Sequence, residues 1–276
     1  NAEGPRCQTT QYCDGASTCQ TKVAAGGTHL GGAWNPENPS GFKMYPLLLE
    51  TVRAAMADLE AQGFDPTLEG FFWHQGENDM FEDSYRQNYG ANLANFLTRL
   101  RTDLDAPALR FYVGELCTKT IWGMDLRPSM ADIARGQRMA TAADPLAEYV
   151  ATSHVGVEIG GGVGLHYHYG TLGQLEHGAN YAAAYGLSRG VESTPRPAMK
   201  RWPYSQTKEV DLWILAGHRN MEGERAFVQD LASIEGGKTL SRPQRIPYRY
   251  STGGGVHAST GWEPLAPAGL YDTFGP

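Results

Sequence analysis

The sequence is short of positive charge. Lys and Arg number 23 against 30 Asp and Glu, a net charge of −7 with a pI near 5.6. A nucleic-acid surface needs clustered cations, so DNA and RNA are not expected partners. No apolar run approaches the length of a membrane span, and the residues from Asn1 onward do not read as a signal peptide. Disorder is excluded too, because 41% hydrophobic and 19% charged content belong to a folded soluble protein. A chain of 276 residues suits one large α/β domain or two small ones. Glycine, at 34 residues, and proline, at 16, call for long loops between elements.

Cysteine is scarce as well: Cys7, Cys13, Cys19 and Cys117. There is no CxxC pair and no nearby His, so the ligand spacings of a metal site are missing. His29, His154, His177 and His257 are scattered, and no pair shows helical metal-ligand spacing. No metal or cofactor is called for. Three of the cysteines fall in a polar stretch, residues 1–20, which reads as a loop stapled by disulfides in an oxidising compartment, secreted or periplasmic. Four cysteines allow three pairings, and the spacing does not choose among them.

Short apolar strands alternate with amphipathic helices along the rest of the chain. Strands are expected at residues 22–26, 68–74, 109–116, 148–153 and 209–216. Helices are expected at 45–62, 83–104, 128–143 and 171–186. Helix 45–62 carries the stripe Leu48, Leu49, Val52, Met56 and Leu59; helix 83–104 carries Tyr85, Tyr89, Leu93, Phe96 and Leu100. On helix 128–143 the apolar positions are Met130, Ile133 and Met139. Residues 191–209 read as a Pro-containing link, and the tail 224–276 as loop-rich. Strands and helices in alternation mean a parallel sheet covered on both faces, here in a single domain over 1–276.

At one strand end the chemistry concentrates. Residues 70–73 are apolar and aromatic, then the chain turns abruptly to His74, Gln75, Gly76, Glu77, Asn78 and Asp79. An α/β protein presents functional groups in this way at the carboxyl ends of its strands.

Trp73–Asp79 resembles the W-H-Q-G-E-S-D block of the SGNH hydrolase superfamily, in its sialate O-acetylesterase and acetylxylan esterase branch. Gly26–Thr28 resembles that branch's G-G-T block, Gly217–Gly223 its nucleophile block G-Q-S-N-M-x-G, and Val163–His166 followed by Gly173–Gly178 its closing D-x-x-H block. The resemblance implies a three-layer α/β/α sandwich with a mainly parallel sheet and a carbohydrate substrate. Three departures accompany it. The nucleophile block comes last here rather than first, so the chain reads as a circular permutant. Arg219 stands at the serine position. Val163 stands at the aspartate position.

In the family mechanism a Ser attacks an ester carbonyl, a His takes its proton and an Asp orients that His. His166 alone remains of the three, and an Arg cannot supply an alkoxide. The resemblance implies oxyanion donors at Gln75 and at the Gly26 and Gly27 turn, with His166 as base and Glu77 as a brace or carboxylate partner. Around Arg219, the residues His218, Asn220 and Glu222 are expected to bind substrate. Arg219 itself offers a bidentate donor for a carboxylate or sulfate. Tyr167 and His168, with Tyr169 beside them, read either as a sugar-stacking rim or as a cap on the helix that follows; His74 reads as structural. Two functions are open: a secreted hydrolase of acylated or acidic polysaccharide (uronic acid or sulfated), or an inactive pseudo-esterase that binds glycans.

Overall fold

A strand buried on both faces has to be apolar at every position, and residues 209–217 (EVDLWILAG) come close to that. They occupy the middle of the sheet. The computed structural model describes residues 18–121, 124–152, 168–169, 171–190, 209–217, 247–252 and 257–265. Its elements run β1 (Thr18–Ala24), α1 (Met44–Ala61), β2 (Asp65–His74), a 3-10 turn (Asp79–Phe81), α2 (Asp83–Gln87), α3 (Tyr89–Asp103), β3 (Arg110–Gly114) and β4 (Thr120–Ile121). They continue with β5 (Met124–Asp125), α4 (Arg127–Ala142), β6 (Ala147–Val150), α5 (Thr171–Ser188), β7 (Glu209–Gly217), β8 (Pro247–Thr252), β9 (His257–Ala258) and β10 (Glu263–Pro264).

The main sheet has the order β10-β8-β1-β7-β2-β3-β6, and β9 pairs with β8. From β8 to β6 every pairing is parallel, while β9 and β10 lie antiparallel to β8. With β8 set aside and counting begun at β7, the strands stand in the order 2-1-3-4-5, that of a doubly wound sheet.

Period-two alternation divides the core. On β7, Leu212, Ile214 and Ala216 face α1, α3 and α4, whereas Trp213 and Leu215 face α5. Phe71, Trp73, Phe96 and Trp34 meet on the first side, largely edge to face or tilted. Each such fully buried aromatic side chain is worth ~3 kcal/mol in transfer terms. The result is the expected α/β/α sandwich.

Five local expectations change. Residues 18–20 belong to β1 rather than to the loop, because Cys19 and Gln20 continue the ladder with Leu212 and Trp213. The 83–104 helix is interrupted at Asn88, whose φ of −95° and ψ of 5° leave the helical range. Tyr85 consequently lies off the buried stripe and packs against His29 instead. Met139 is 65% exposed, and the buried face of α4 is Ile133, Ala134, Gly136, Gln137 and Ala140. The tail holds β8, β9 and β10, which its weak periodicity conceals. Cys117 is a free buried thiol, so the four cysteines do not all pair; Cys7 and Cys13 lie outside the described residues.

Candidate active site

The register of the three central strands sets the site. Ala24 on β1 and His74 on β2 both stand opposite Gly217 on β7. The strands are so close there that a Cβ on Gly217 would collide with the His74 carbonyl, so only glycine fits. The Ala25 amide donates to the Gly217 carbonyl at 3.2 Å and closes the end of the ladder. Beyond it, Gly27 turns with φ +74°, exposed and with open space where a side chain would be. Thr28 anchors that turn: its hydroxyl donates to the Ala25 carbonyl at 2.8 Å and accepts from Trp34 Nε1 at 2.9 Å.

Across β7, Gln75 is fully buried and held on every side. Its Nε2 donates to the Thr28 carbonyl at 3.0 Å and to Asp79 Oδ2 at 2.6 Å. The Tyr89 hydroxyl lies 2.8 Å from the Gln75 backbone carbonyl and 3.1 Å from its Oε1, donating between them. Gln137 Nε2 donates to the carbonyls of Gln75 at 3.3 Å and Gly114 at 3.0 Å. Asp79 is fully buried too and accepts the backbone N–H of Leu30. Burial pushes its carboxyl up to about 7, against the opposing pull of these hydrogen bonds, with the Glu77 charge adding to the rise.

On the opposite side of Gln75 lies a second buried polar group. Glu77 is 0% exposed, with Oε1 3.8 Å from His74 Nε2. The His74 ring meets the His177 ring edge-on at 4.4 Å, and His177 stacks on Tyr169 at 5.1 Å. Burial, and then the neighbouring His74, hold His177 well below the usual imidazole range. The Tyr169 hydroxyl and the Cys117 thiol share a contact of 2.7 Å, and burial pushes the thiol up to about 11. Tyr181 donates to the Trp73 carbonyl at 2.7 Å. Among the described residues, no group of three or more His, Cys, Asp or Glu could hold a metal ion.

The family described as carbohydrate esterase, sialic acid-specific acetylesterase, matches the chain over residues 16–186. The chain belongs to this family. Within the esterase match lie the Gly26–Thr28 turn and the Trp73–Asp79 segment; β7 lies beyond it. A crystallised protein from Arabidopsis thaliana is similar to this esterase-family chain at 20% identity and a TM-score of 0.46. That similarity covers 59% of this chain and 58% of the plant protein. No curated protein matches the chain.

Of the site residues expected from sequence, Gly26, Gly27, Gln75 and Glu77 gather at one end of the sheet. His166, Tyr167, His218, Arg219, Asn220 and Glu222, with Val163, lie outside the described residues. His168 is 4% exposed and Tyr169 1%, so neither ring stands on a rim; both are packed in just before α5. Asp79, Tyr89, Gln137 and His177 escaped the sequence reading. Asp79 and His177 had a signal, their places within the blocks that resemble W-H-Q-G-E-S-D and D-x-x-H. Tyr89 and Gln137 look like ordinary helix positions until the helices are packed.

Proposed function

We propose that this family member is a secreted hydrolase, folded as one domain, that removes acyl groups from polysaccharide with Arg219 at the nucleophile position. The observation that carries the reading is the register of β1, β7 and β2. Ala24, Gly217 and His74 stand side by side, so the chain leaves three adjacent strands at one level toward Gly26–Gly27, His218–Arg219 and Gln75. Family membership supports a carbohydrate substrate. The slot of β7 between β1 and β2 supports circular permutation, because the order becomes 2-1-3-4-5 when β7 is counted first. The cysteines Cys7, Cys13 and Cys19 support an oxidising compartment.

An Arg stays protonated at any working pH, so the attacking group in this reading is water. His166 takes a proton from the water as its oxygen bonds to the acyl carbon. The N–H groups of Gly27 and Gln75 take up the negative charge on the carbonyl oxygen. The C–O bond to the sugar then breaks, and His166 returns the proton to the leaving sugar oxygen. Arg219, with His218, Asn220 and Glu222 beside it in sequence, binds a carboxylate or sulfate of an acidic chain. Buried Glu77 acts as a brace under His74.

The test is deacetylation of aryl acetates and acetylated glycans by the wild type, His166→Ala and the double variant Arg219→Ser/Val163→Asp. Turnover in the wild type that His166→Ala abolishes supports the water mechanism. A silent wild type with activity appearing in the double variant refutes it. One observation favours the second reading, a glycan-binding pseudo-esterase: both side-chain N–H bonds of Gln75 are already made within the protein.

A further inference from the structure

Gln75 can reach a substrate oxygen only by exchanging one of its two donated hydrogen bonds. One partner is the Thr28 carbonyl and the other is Asp79 Oδ2. Asp79 does more than accept that bond. Its Oδ1 and Oδ2 lie 3.1 and 3.0 Å from the Leu30 N–H, and Oδ1 lies 3.5 Å from the Gly31 N–H. Leu30 and Gly31 belong to the segment that starts at Gly26–Gly27 and leads into α1. One carboxylate therefore ties the loop after β1 to the loop after β2. Gln75 closes the same link from the other side through Thr28.

We infer that Asp79 is a positioning residue that fixes the Gln75 amide against the Gly26–Thr28 turn and acts on the reaction through Gln75. The inference rests on the esterase reading, in which Gln75 and Gly27 are the donors to the oxyanion.

The chemistry of the link requires a carboxylate. Ionised, as it is above about 7, it accepts through both oxygens and takes backbone N–H groups on one side and an amide N–H on the other without presenting a hydrogen. An Asn at this place keeps one accepting oxygen but turns its NH2 toward either the loop or Gln75, donor against donor. Retaining a buried carboxylate is costly, and the N–H groups of Gln75, Leu30 and Gly31 offset that cost only in part. Glu77 is of like charge, and Tyr89, the other titratable group coupled to it, is neutral with its hydroxyl pushed well above the usual range by burial. With Nε2 anchored on Thr28, Gln75 can pass its second N–H from Asp79 to an arriving oxyanion without leaving its place.

The experiment compares Gln75→Ala, Asp79→Asn and the double variant on 4-nitrophenyl acetate. It also follows the side-chain amide protons of Gln75 by 1H–15N NMR. Asp79→Asn is expected to lower kcat ~100-fold, the low end of the loss for a removed oxyanion donor, with KM unchanged. The double variant is expected to be no slower than Gln75→Ala alone, because residues acting as a unit do not multiply their losses. In the NMR arm, the proton bonded to Asp79 moves upfield in Asp79→Asn. Multiplying losses, an unchanged kcat, or an unmoved Gln75 amide overturns the inference. If the wild type turns nothing over, the esterase reading fails by itself, and the NMR arm still decides whether Asp79 holds Gln75. Asp79→Ser, which leaves one accepting oxygen, replaces Asp79→Asn if that variant unfolds.

Discussion

Replacing Asp79 by Asn changes how stability depends on pH, and the size of the change follows from burial. The carboxyl rises from 3.8 to about 7 in the folded protein. With the folded value above the unfolded one, the folded state binds more protons between the two. The stability that Asp79 contributes is fully present below 3.8 and is lost as pH rises through about 7. A shift of this size amounts to about 4 kcal/mol in total, of which roughly 2.5 kcal/mol falls between pH 5 and pH 8. An Asn does not titrate, so the difference between the two proteins isolates the single group. Urea unfolding of wild type and Asp79→Asn at pH 5, 6, 7 and 8 gives that difference directly. Wild type is expected to lose roughly 2.5 kcal/mol relative to the variant across the series. A difference that stays constant with pH means that Asp79 is ionised throughout, and the burial argument is then wrong.

Three further outcomes are expected. Gly217→Ala, which drives a methyl group into the His74 carbonyl, costs at least ~3 kcal/mol in urea unfolding. Gly27→Ala, strained only by its positive φ in open space, costs ~1 kcal/mol. His177 is neutral when folded and its value is depressed, so its contribution is present above the unfolded value of 6.5 and lost as pH falls below it. His177→Phe is therefore expected to flatten the fall in stability between pH 6.5 and pH 5, read as a smaller change in the urea midpoint. Cys117, buried and held at about 11, stays unlabelled by iodoacetamide at pH 8 in the folded protein and reacts once urea unfolds it, which peptide mass spectrometry reads by site.

Periodicity located the strands and helices well because burial on a sheet or helix face is a local requirement of the pattern. β7, with alternate residues facing opposite layers, is the clearest case. The pattern failed where a contact, rather than a pattern, decides. Asn88 breaks what looked like one helix, and Tyr85 leaves the core for His29. β8 joins the sheet although its sequence, PYRYST, alternates poorly. The same division holds at the site. Gln75 and Gly27 stood out because functional groups follow an apolar strand and glycines follow another. Their partners did not: Asp79 reaches Leu30 across 49 positions of sequence, and Tyr89 owes its role to a hydroxyl on an otherwise apolar helix face. His168 reads in sequence either as part of a sugar-stacking rim or as a cap on the following helix, and the fold buries it.

The slot filled by β7 bears on the order in which the protein is made. β1 and β2 leave the ribosome early, yet neither pairs with the other; each pairs with a strand that follows more than 130 residues after β2. In the folded sheet β1 and β2 stand two strand spacings apart, roughly 9.6 Å, and their facing ladders close only when residues 209–217 arrive. Such late, long-range closure slows folding and leaves strand edges exposed to neighbouring chains. A nascent chain stalled before residue 209 would carry a vacancy shaped for one strand, and a free peptide of sequence EVDLWILAG is the species that fits it.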